Sequence, residues 1–252
     1  MKKILVVLTA ILSIFTVSFV VKAILVKLHG SAPPYQVEDL YPPSNPFDWI
    51  EEWERPNVPV KVALQAGHWK NNELPSELER LIGRTGSSGG GKSEWEVNLD
   101  IAGKTAQILE SEGIDAEILP ATIPPRYWAD VFVAIHADGS LDMTKRGFKA
   151  ATPRRDYSDG AEKLMSFIED SYADQTGFEK DPNVTRNMRG YYAFAWWRYN
   201  HALHPRTASV ILETGFLSNA QDRKIIVDNA ELAAYGIAEG IIDYLQSQNL
   251  IQ

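Results

Sequence analysis

Apolar and polar positions follow two different periods from residue 58 to the C-terminus. Runs that alternate or are continuously apolar predict strands, whereas apolar residues that recur every three to four positions predict amphipathic helices. Strands are predicted at 58–64, 114–119, 129–135 and 208–212, and helices from Glu94 to a cap at Gly113, after a cap at Ser158, and near 220–227 and 229–247. This alternation predicts an α/β fold with a mostly parallel, twisted sheet and helices on both faces.

The N-terminus has the pattern of a membrane signal. Two lysines precede an uncharged, mostly apolar run at 4–21, which at helical rise spans roughly 27 Å, enough for a bilayer core. A basic start followed by an apolar run also describes a secretory signal peptide. We favour an uncleaved transmembrane anchor at 1–29, with a cleaved signal peptide as the alternative. Both interpretations export the rest of the chain.

Prolines concentrate between the apolar run and the first predicted strand. Seven of the 14 prolines fall within 31–60, and such a composition is typical of an extended, semi-rigid spacer. We therefore divide the chain into an anchor at 1–29, a proline-rich tether at 30–57 and a globular domain at 58–252.

Composition excludes several classes of function. The chain has 252 residues and a net charge of −8, and its four N-terminal lysines leave 21 basic against 33 acidic residues after position 30. Nucleic-acid binding needs clustered basic residues, so no nucleic-acid partner is expected. Because the sequence contains no cysteine, it has no disulfide, no thiolate zinc site and no thiol nucleophile. A metal site would have to use histidines and carboxylates.

Three of the predicted strands run into a residue that can bind a metal or move a proton. His68 follows the first strand, His136 directly follows the strand at 129–135, and Glu213 directly follows the strand at 208–212. The carboxyl ends of parallel strands meet at one edge of a sheet, and Glu94 emerges from a glycine-rich loop that could fold over this edge. Two histidines and one glutamate form a catalytic zinc set with an open position, and a second glutamate could transfer the proton of a water molecule. Each residue also has an ordinary structural explanation, and their meeting at one edge favours the zinc site.

Four segments extend this interpretation to a known family. They are AGHW at 66–69, SEWEVNLDIAGKTAQIL from Ser93, FVAIHAD at 132–138 and VILETGFLSNAQD at 210–222. In this order they resemble the landmarks of the zinc-dependent N-acetylmuramoyl-L-alanine amidases of the type-3 family. The resemblance covers about residues 60–248, nearly the whole globular domain.

The resemblance implies one zinc ion per chain, held by His68, Glu94 and His136, with Glu213 as the catalytic acid and base. The implied substrate is peptidoglycan, cleaved at the amide between N-acetylmuramic acid and L-alanine. The implied location is outside the cytoplasm of a bacterium, with the catalytic domain facing the periplasm or cell wall. A protein activator is a further candidate partner, and residues 141–190 are long enough to hold a regulatory element.

The chain departs from the family pattern beside two of the expected ligands. Gln65, Ala66 and Trp69 stand where the family has Asp, Pro and Gly, and Asp138 stands where it has Asn. A change in the residues that support a ligand can lower metal affinity or activity by about 10–100-fold. We therefore keep two alternatives: an inactive, membrane-tethered peptidoglycan-binding protein, and a zinc peptidase that acts on cell-wall peptides.

Other motifs carry weaker signals. Residues 86–93 match the Walker A pattern, but no buried strand is predicted directly before them, so we favour a loop that delivers Glu94. Six aromatic residues within 191–199 suit either a core or contact with sugar rings. His201 and His204 are interpreted as surface or packing residues, and the pair at 154–155 as solvated arginines rather than contacts for peptide carboxylates.

Overall fold

The computed structural model describes residues 47–252. The predicted anchor at 1–29 and the first part of the predicted tether, 30–46, lie outside the described residues. Among residues 47–252, we find no helix with the length and hydropathy of a membrane span. The described part of the N-terminal unit contains one short helix, α1, at Asp48–Glu51.

A mostly parallel sheet organises the second unit, Glu54–Gln252. The strands are β1 (Lys61–Ala66), β2 (Ser88–Gly89), β3 (Lys92–Ser93), β4 (Asp115–Leu119), β5 (Val131–Asp138), β6 (Lys149–Ala151) and β7 (Ala208–Phe216). Five of them form one sheet in the order β4-β1-β5-β7-β6, in which only β6 runs antiparallel, and β2 and β3 form a separate hairpin. The predicted parallel sheet is thus confirmed, with a short antiparallel edge strand added.

The helices are α2 (Glu94–Ser111), α3 (Ala161–Thr176), α4 (Arg186–Arg189), α5 (Ala220–Ile226) and α6 (Ala230–Ser247). Within the described residues, the three long helices α2, α3 and α6 pack on one face of the sheet, where alternate strand residues such as Leu64 and Ile135 meet Ile101 and Ile168. The opposite face, with Phe132 at its centre, is covered by loops and short helical turns. Helices are predicted on both faces, and the described residues form long helices on one face only. The segments that cover the other face lack a helical repeat in their sequence.

Several observed boundaries of helices and strands differ from the predicted ones by a few residues. Helix α2 begins at Glu94 as predicted, with a capping box from Ser93, and Gly113 follows its end with a φ of 78°. Ser158 does not cap α3 directly: Gly160 is the N-cap, and the Ser158 hydroxyl accepts a hydrogen bond from its amide at 3.1 Å. Residues 86–93, expected to form a loop, contain the β2–β3 hairpin, and a 3-10 helix at Ser76–Leu81 precedes them.

Strand β5 sets the position of the functional residues. Its first seven residues are buried, as expected for a strand covered on both faces, and it lies between β1 and β7. The parallel register pairs Gln65 with Ala134 and His136 with Glu213. The carboxyl ends of β1, β5 and β7 therefore meet at one edge of the sheet.

Residues 141–190 supply part of the scaffold. They contain the edge strand β6, and helix α3 from the same segment packs against α6 on the helical face. At least these two elements of the segment are structural.

Candidate metal centre

The three predicted metal ligands lie together at the carboxyl edge of the sheet. His68, Glu94 and His136 each offer one ligand atom, and these atoms lie within 4.8 Å of one another. His68 follows β1, Glu94 is the first residue of α2, and His136 lies in β5. Glu94 and His136 are buried, with exposed fractions of 4% and 7%. The structure therefore brings this group together from three separate elements.

His68 is presented by a left-handed turn. Its φ is 63°, a backbone conformation that non-glycine residues adopt rarely and often at functional sites. The Nδ1 atom lies 2.7 Å from the Arg84 carbonyl oxygen, so this nitrogen carries the proton and donates it. The Nε2 atom is left to face the Glu94 carboxylate at 3.5 Å. Burial lowers the pKa of His68, Glu94 opposes this and His136 adds to it, so the neutral form that binds metals is favoured.

His136 is oriented by a relay of side chains. Its Nε2 lies 3.3 Å from the Tyr191 hydroxyl, and that hydroxyl donates to Gln65 Oε1 at 2.8 Å. The hydroxyl oxygen therefore accepts from Nε2–H, which leaves the Nδ1 lone pair for a metal, 3.0 Å from Glu94 Oε1. Burial lowers the pKa of His136, but the adjacent Glu94 carboxylate more than offsets this and raises it overall.

Glu94 is held as a carboxylate despite its burial. Oε2 accepts a hydrogen bond from the Ser87 amide at 2.6 Å, and Oε1 accepts one from the Ala137 amide at 3.2 Å. Burial alone would raise the pKa of Glu94, but His136, His68 and the Ser87 amide lower it to about 2. Its place in the first turn of α2 also favours the negative charge.

The chemistry of the group fits a zinc ion. Two imidazole nitrogens and one carboxylate oxygen are the ligands of catalytic zinc sites, which keep a further position open. Each histidine also has a partner on its remote nitrogen, a feature typical of metal-binding histidines. His68, Glu94 and His136 are thus suited to hold the ion.

Glu213 lies next to this group. It pairs with His136 across β5 and β7, and it faces the same cavity of about 570 Å³ as His68 and Glu94. Its Oε2 atom is buried and has no hydrogen-bond partner within residues 47–252. Burial raises the pKa of Glu213 to about 8; Glu94 and Asp138 add to this effect, whereas His136 and Lys149 oppose it.

Two of the four residues that depart from the family pattern, Gln65 and Asp138, have polar partners in the structure. Gln65 is fully buried, and its Nε2 donates to the Tyr192 hydroxyl at 2.7 Å and to the Pro120 carbonyl at 3.1 Å. Asp138 pairs with the ammonium group of Lys149, which also contacts Asp181 at 3.3 Å. Sequence reasoning missed Lys149, whose position in a three-residue strand gives no periodic signal.

The remaining motifs lie outside the metal group. His201 pairs with Glu77 at 2.7 Å, and His204 is buried. The Walker A match at 86–93 contains the β2–β3 hairpin and follows a 3-10 helix and a turn, so the strand that a phosphate-binding loop requires does not precede it within the described residues. Within the aromatic segment 191–199, Tyr191 and Tyr192 support the site, whereas Trp197 is 44% exposed.

The fold and the site together are typical of metal-dependent hydrolases: an α/β domain with a His–Glu–His group and a further glutamate at the carboxyl edge of parallel strands. The sequence model of the Amidase_3 family, N-acetylmuramoyl-L-alanine amidase, matches residues 62–243, and the chain belongs to this family. It is therefore a hydrolase that cleaves the amide between N-acetylmuramic acid and L-alanine in peptidoglycan. This confirms the amidase prediction.

Individual relatives agree with the family assignment. The chain is 27% identical over 208 residues to N-acetylmuramoyl-L-alanine amidase AmiA of Escherichia coli, a match that covers 65% of this chain and 70% of that protein. The fold is similar to that of amidase Ami1 from Mycobacterium smegmatis, with a TM-score of 0.54 and 19% identity over 75% of this chain and 98% of that one. Amidase AmiC2 of Nostoc punctiforme gives a TM-score of 0.52 and 20% identity, covering 74% of this chain and 97% of that one.

Proposed function

We propose that His68, Glu94 and His136 hold one zinc ion per chain and that Glu213 transfers the proton during amide cleavage. The grouping of the three ligand atoms within 4.8 Å supports the metal assignment. The observation that carries the catalytic assignment is the buried, unpartnered Oε2 of Glu213 at the wall of the same cavity.

The metal ligands and Glu213 have different roles in the reaction. Zinc, when bound, would polarise the scissile carbonyl and lower the pKa of a water molecule. Glu213 accepts the proton of the attacking water and returns it to the departing amine of L-alanine. A pKa that burial has brought near neutrality suits a group that must both accept and donate a proton. The remote hydrogen bonds of His68 and His136 orient the two rings so that His68 Nε2 and His136 Nδ1 face the metal position.

Product analysis tests the metal assignment. The protein is incubated with purified peptidoglycan, with a chelator, and with the chelator followed by zinc. We expect free stem peptides that begin at L-alanine, which disappear with the chelator and return with zinc. Products that persist without metal would contradict a zinc-dependent reaction. Fragments cut within the stem peptide would point to the peptidase alternative.

The Glu213→Gln variant tests the catalytic assignment. It should fold and bind zinc at one ion per chain, but lose activity by about 10²–10⁴-fold, the usual contribution of a general acid and base. Glu110→Gln, which changes an exposed carboxylate of α2, serves as the matched control and should keep normal activity. Normal activity in Glu213→Gln would assign proton transfer to another group.

We also propose that 1–29 is a signal anchor, 30–57 a tether and 58–252 the catalytic domain. The apolar run at 4–21 supports the anchor, and the substrate requires a site of action outside the cytoplasm. Membrane fractionation with N-terminal sequencing of the mature protein tests this division. An intact N-terminus in the membrane fraction is expected, and a mature chain that starts after residue 21 would establish signal cleavage instead.

A further inference from the structure

A second cavity with basic walls lies beside the metal centre. It has a volume of about 420 Å³, and its lining includes Arg80, Arg84, Asn187 and Tyr191. No acidic residue lines it in the part of the chain that the structure describes. The whole chain carries a net charge of −8, so this cavity is a basic site on an acidic protein.

Two residues that line the cavity also contact the metal group. The Arg84 carbonyl oxygen accepts the hydrogen bond from His68 Nδ1 at 2.7 Å. The Tyr191 hydroxyl lies 3.3 Å from His136 Nε2. Arg84 thus contacts His68 and Tyr191 contacts His136, so the cavity lies directly beside the metal group.

Hydrogen bonds hold the side chains of Arg80 and Arg84 in place and leave some of their N–H donors unused. Arg80 donates from Nη2 to the Tyr199 hydroxyl at 2.8 Å and lies over the Tyr199 ring, with 5.7 Å between its Cζ and the ring centroid. Arg84 donates from Nε to the Arg80 carbonyl at 3.3 Å. Within residues 47–252, no ion pair joins either guanidinium to a carboxylate. Both therefore keep donors for an incoming anion.

We propose that Arg80 and Arg84 form a subsite that binds a carboxylate of the stem peptide during amide cleavage. The proposal rests on the amidase function, since the peptide that continues from L-alanine carries free carboxylates and must leave the metal centre in some direction. The planar guanidinium group matches a carboxylate in geometry as well as charge. The subsite would make the enzyme selective for stem peptides whose carboxylates are not amidated.

A pair of synthetic substrates tests this selectivity. Two muramoyl peptides are prepared that differ only in whether the stem-peptide carboxylates are free or converted to carboxamides. The wild-type enzyme should cleave the free acid with a kcat/KM at least about tenfold higher, as expected for a hydrogen bond between charged groups. In the double variant Arg80→Gln/Arg84→Gln, the ratio of the two kcat/KM values should fall towards one. The control Lys163→Gln, which removes one positive charge from the exposed surface of α3, should leave the ratio unchanged.

The ratio separates the subsite from general damage. A variant that folds poorly or binds less zinc loses activity on both substrates alike, so only the subsite changes the ratio. Equal kcat/KM values in the wild type, or a preference that survives in the double variant, would overturn the proposal. If the wild type cleaves neither substrate, the amidase assignment fails, and calorimetric titration with the free stem peptide still tests the cavity. The acid form must then bind more tightly than the amide, and the double variant must lose that difference.

Discussion

At the scale of single residues, each histidine of the metal group is held through its remote ring nitrogen. His68 donates to a main-chain carbonyl, whereas His136 depends on the hydroxyl of Tyr191, which in turn depends on Gln65. A main-chain partner survives substitution of its side chain, but a hydroxyl does not. The two histidines should therefore respond differently to mutation of their partners.

Tyr191→Phe tests the relay to His136. The variant removes the acceptor for Nε2–H and frees the ring to change its tautomer, so zinc affinity should fall by about 10–100-fold. Competition with a chromophoric zinc chelator measures the change. Tyr235→Phe, on the exposed surface of α6, is the matched control. Equal affinities in the two variants would show that Tyr191 does not orient the ligand.

Glu213 should make the free energy of unfolding of the metal-free protein depend on pH. Its pKa is raised from 4.5 to about 8 in the folded state, so the folded state binds the proton more tightly than the unfolded chain does. The contribution of this group is complete below pH 4.5 and is lost as the pH rises towards and past 8. Glutamine does not titrate, so the Glu213→Gln variant does not lose this stability as the pH rises.

The measurement is urea unfolding with a chelator at pH 5, 7 and 9. The free energy of unfolding of Glu213→Gln, relative to the wild type, should increase across this series. Groups that do not interact with Glu213 titrate alike in both proteins and cancel in the difference. A constant difference would contradict the raised pKa.

At the scale of elements, the turn before α2 fixes the Glu94 ligand. Gly86 has a φ of 74°, and a Cβ atom added there would clash with the Glu94 carboxylate and lie 2.7 Å from His68 Cδ2. The glycine therefore permits both the turn and the close approach of two ligands. The β2–β3 hairpin follows it and leads directly into the helix.

Gly86→Ala should abolish stoichiometric zinc binding, because its methyl group occupies the space of the Glu94 carboxylate. Gly91→Ala separates this effect from backbone strain: Gly91 has a φ of 76° but nothing within 4 Å of an added Cβ. The Gly91 variant should lose about 1–2 kcal/mol of stability and keep its zinc. Metal analysis and thermal unfolding of both variants provide the test, and zinc loss in both would assign the effect to strain alone.

Most of the elements could be predicted because their signals are local. The run at 129–135, and the helical spacing from Glu94 to the cap at Gly113, identify β5 and α2 without tertiary information. The gathering of His68, His136 and Glu213 follows from the rule for parallel strands. The support of these residues was not predictable, because the hydrogen bond between Gln65 and Tyr191 joins positions 126 residues apart. The same holds for the covering of the second sheet face, whose segments carry no period.

At the scale of the whole molecule, a partly buried ion pair ties the start of the second unit to the sheet. Arg55 donates to both oxygens of Asp130, from Nε at 2.6 Å and from Nη2 at 3.0 Å. The Asp130 side chain is 3% exposed and also accepts from the Lys61 amide at 3.0 Å. Residues just before β1 therefore contribute to the stability of the domain.

A fragment of residues 58–252 should consequently be less stable than one of residues 54–252. It loses Arg55 and leaves a buried carboxylate without its cation, at a cost of about 1–3 kcal/mol, which for a domain of this size is about 2–4 °C in Tm for each kcal/mol. Thermal unfolding compares the two fragments. Arg55→Leu in the longer fragment should reproduce the loss, and equal Tm values for all three would show that the pair contributes nothing.

The two edges of the sheet determine how the protein behaves at high concentration. The edge strand β6 has three residues, and the other edge, β4, exposes Asp115 and Glu117 beside Lys61. Short edge strands and outward-facing charges make poor templates for a strand from another molecule. A protein built in this way resists the edge-to-edge pairing that leads to aggregates and fibrils, a useful property for an enzyme that works beyond the reach of cytoplasmic chaperones.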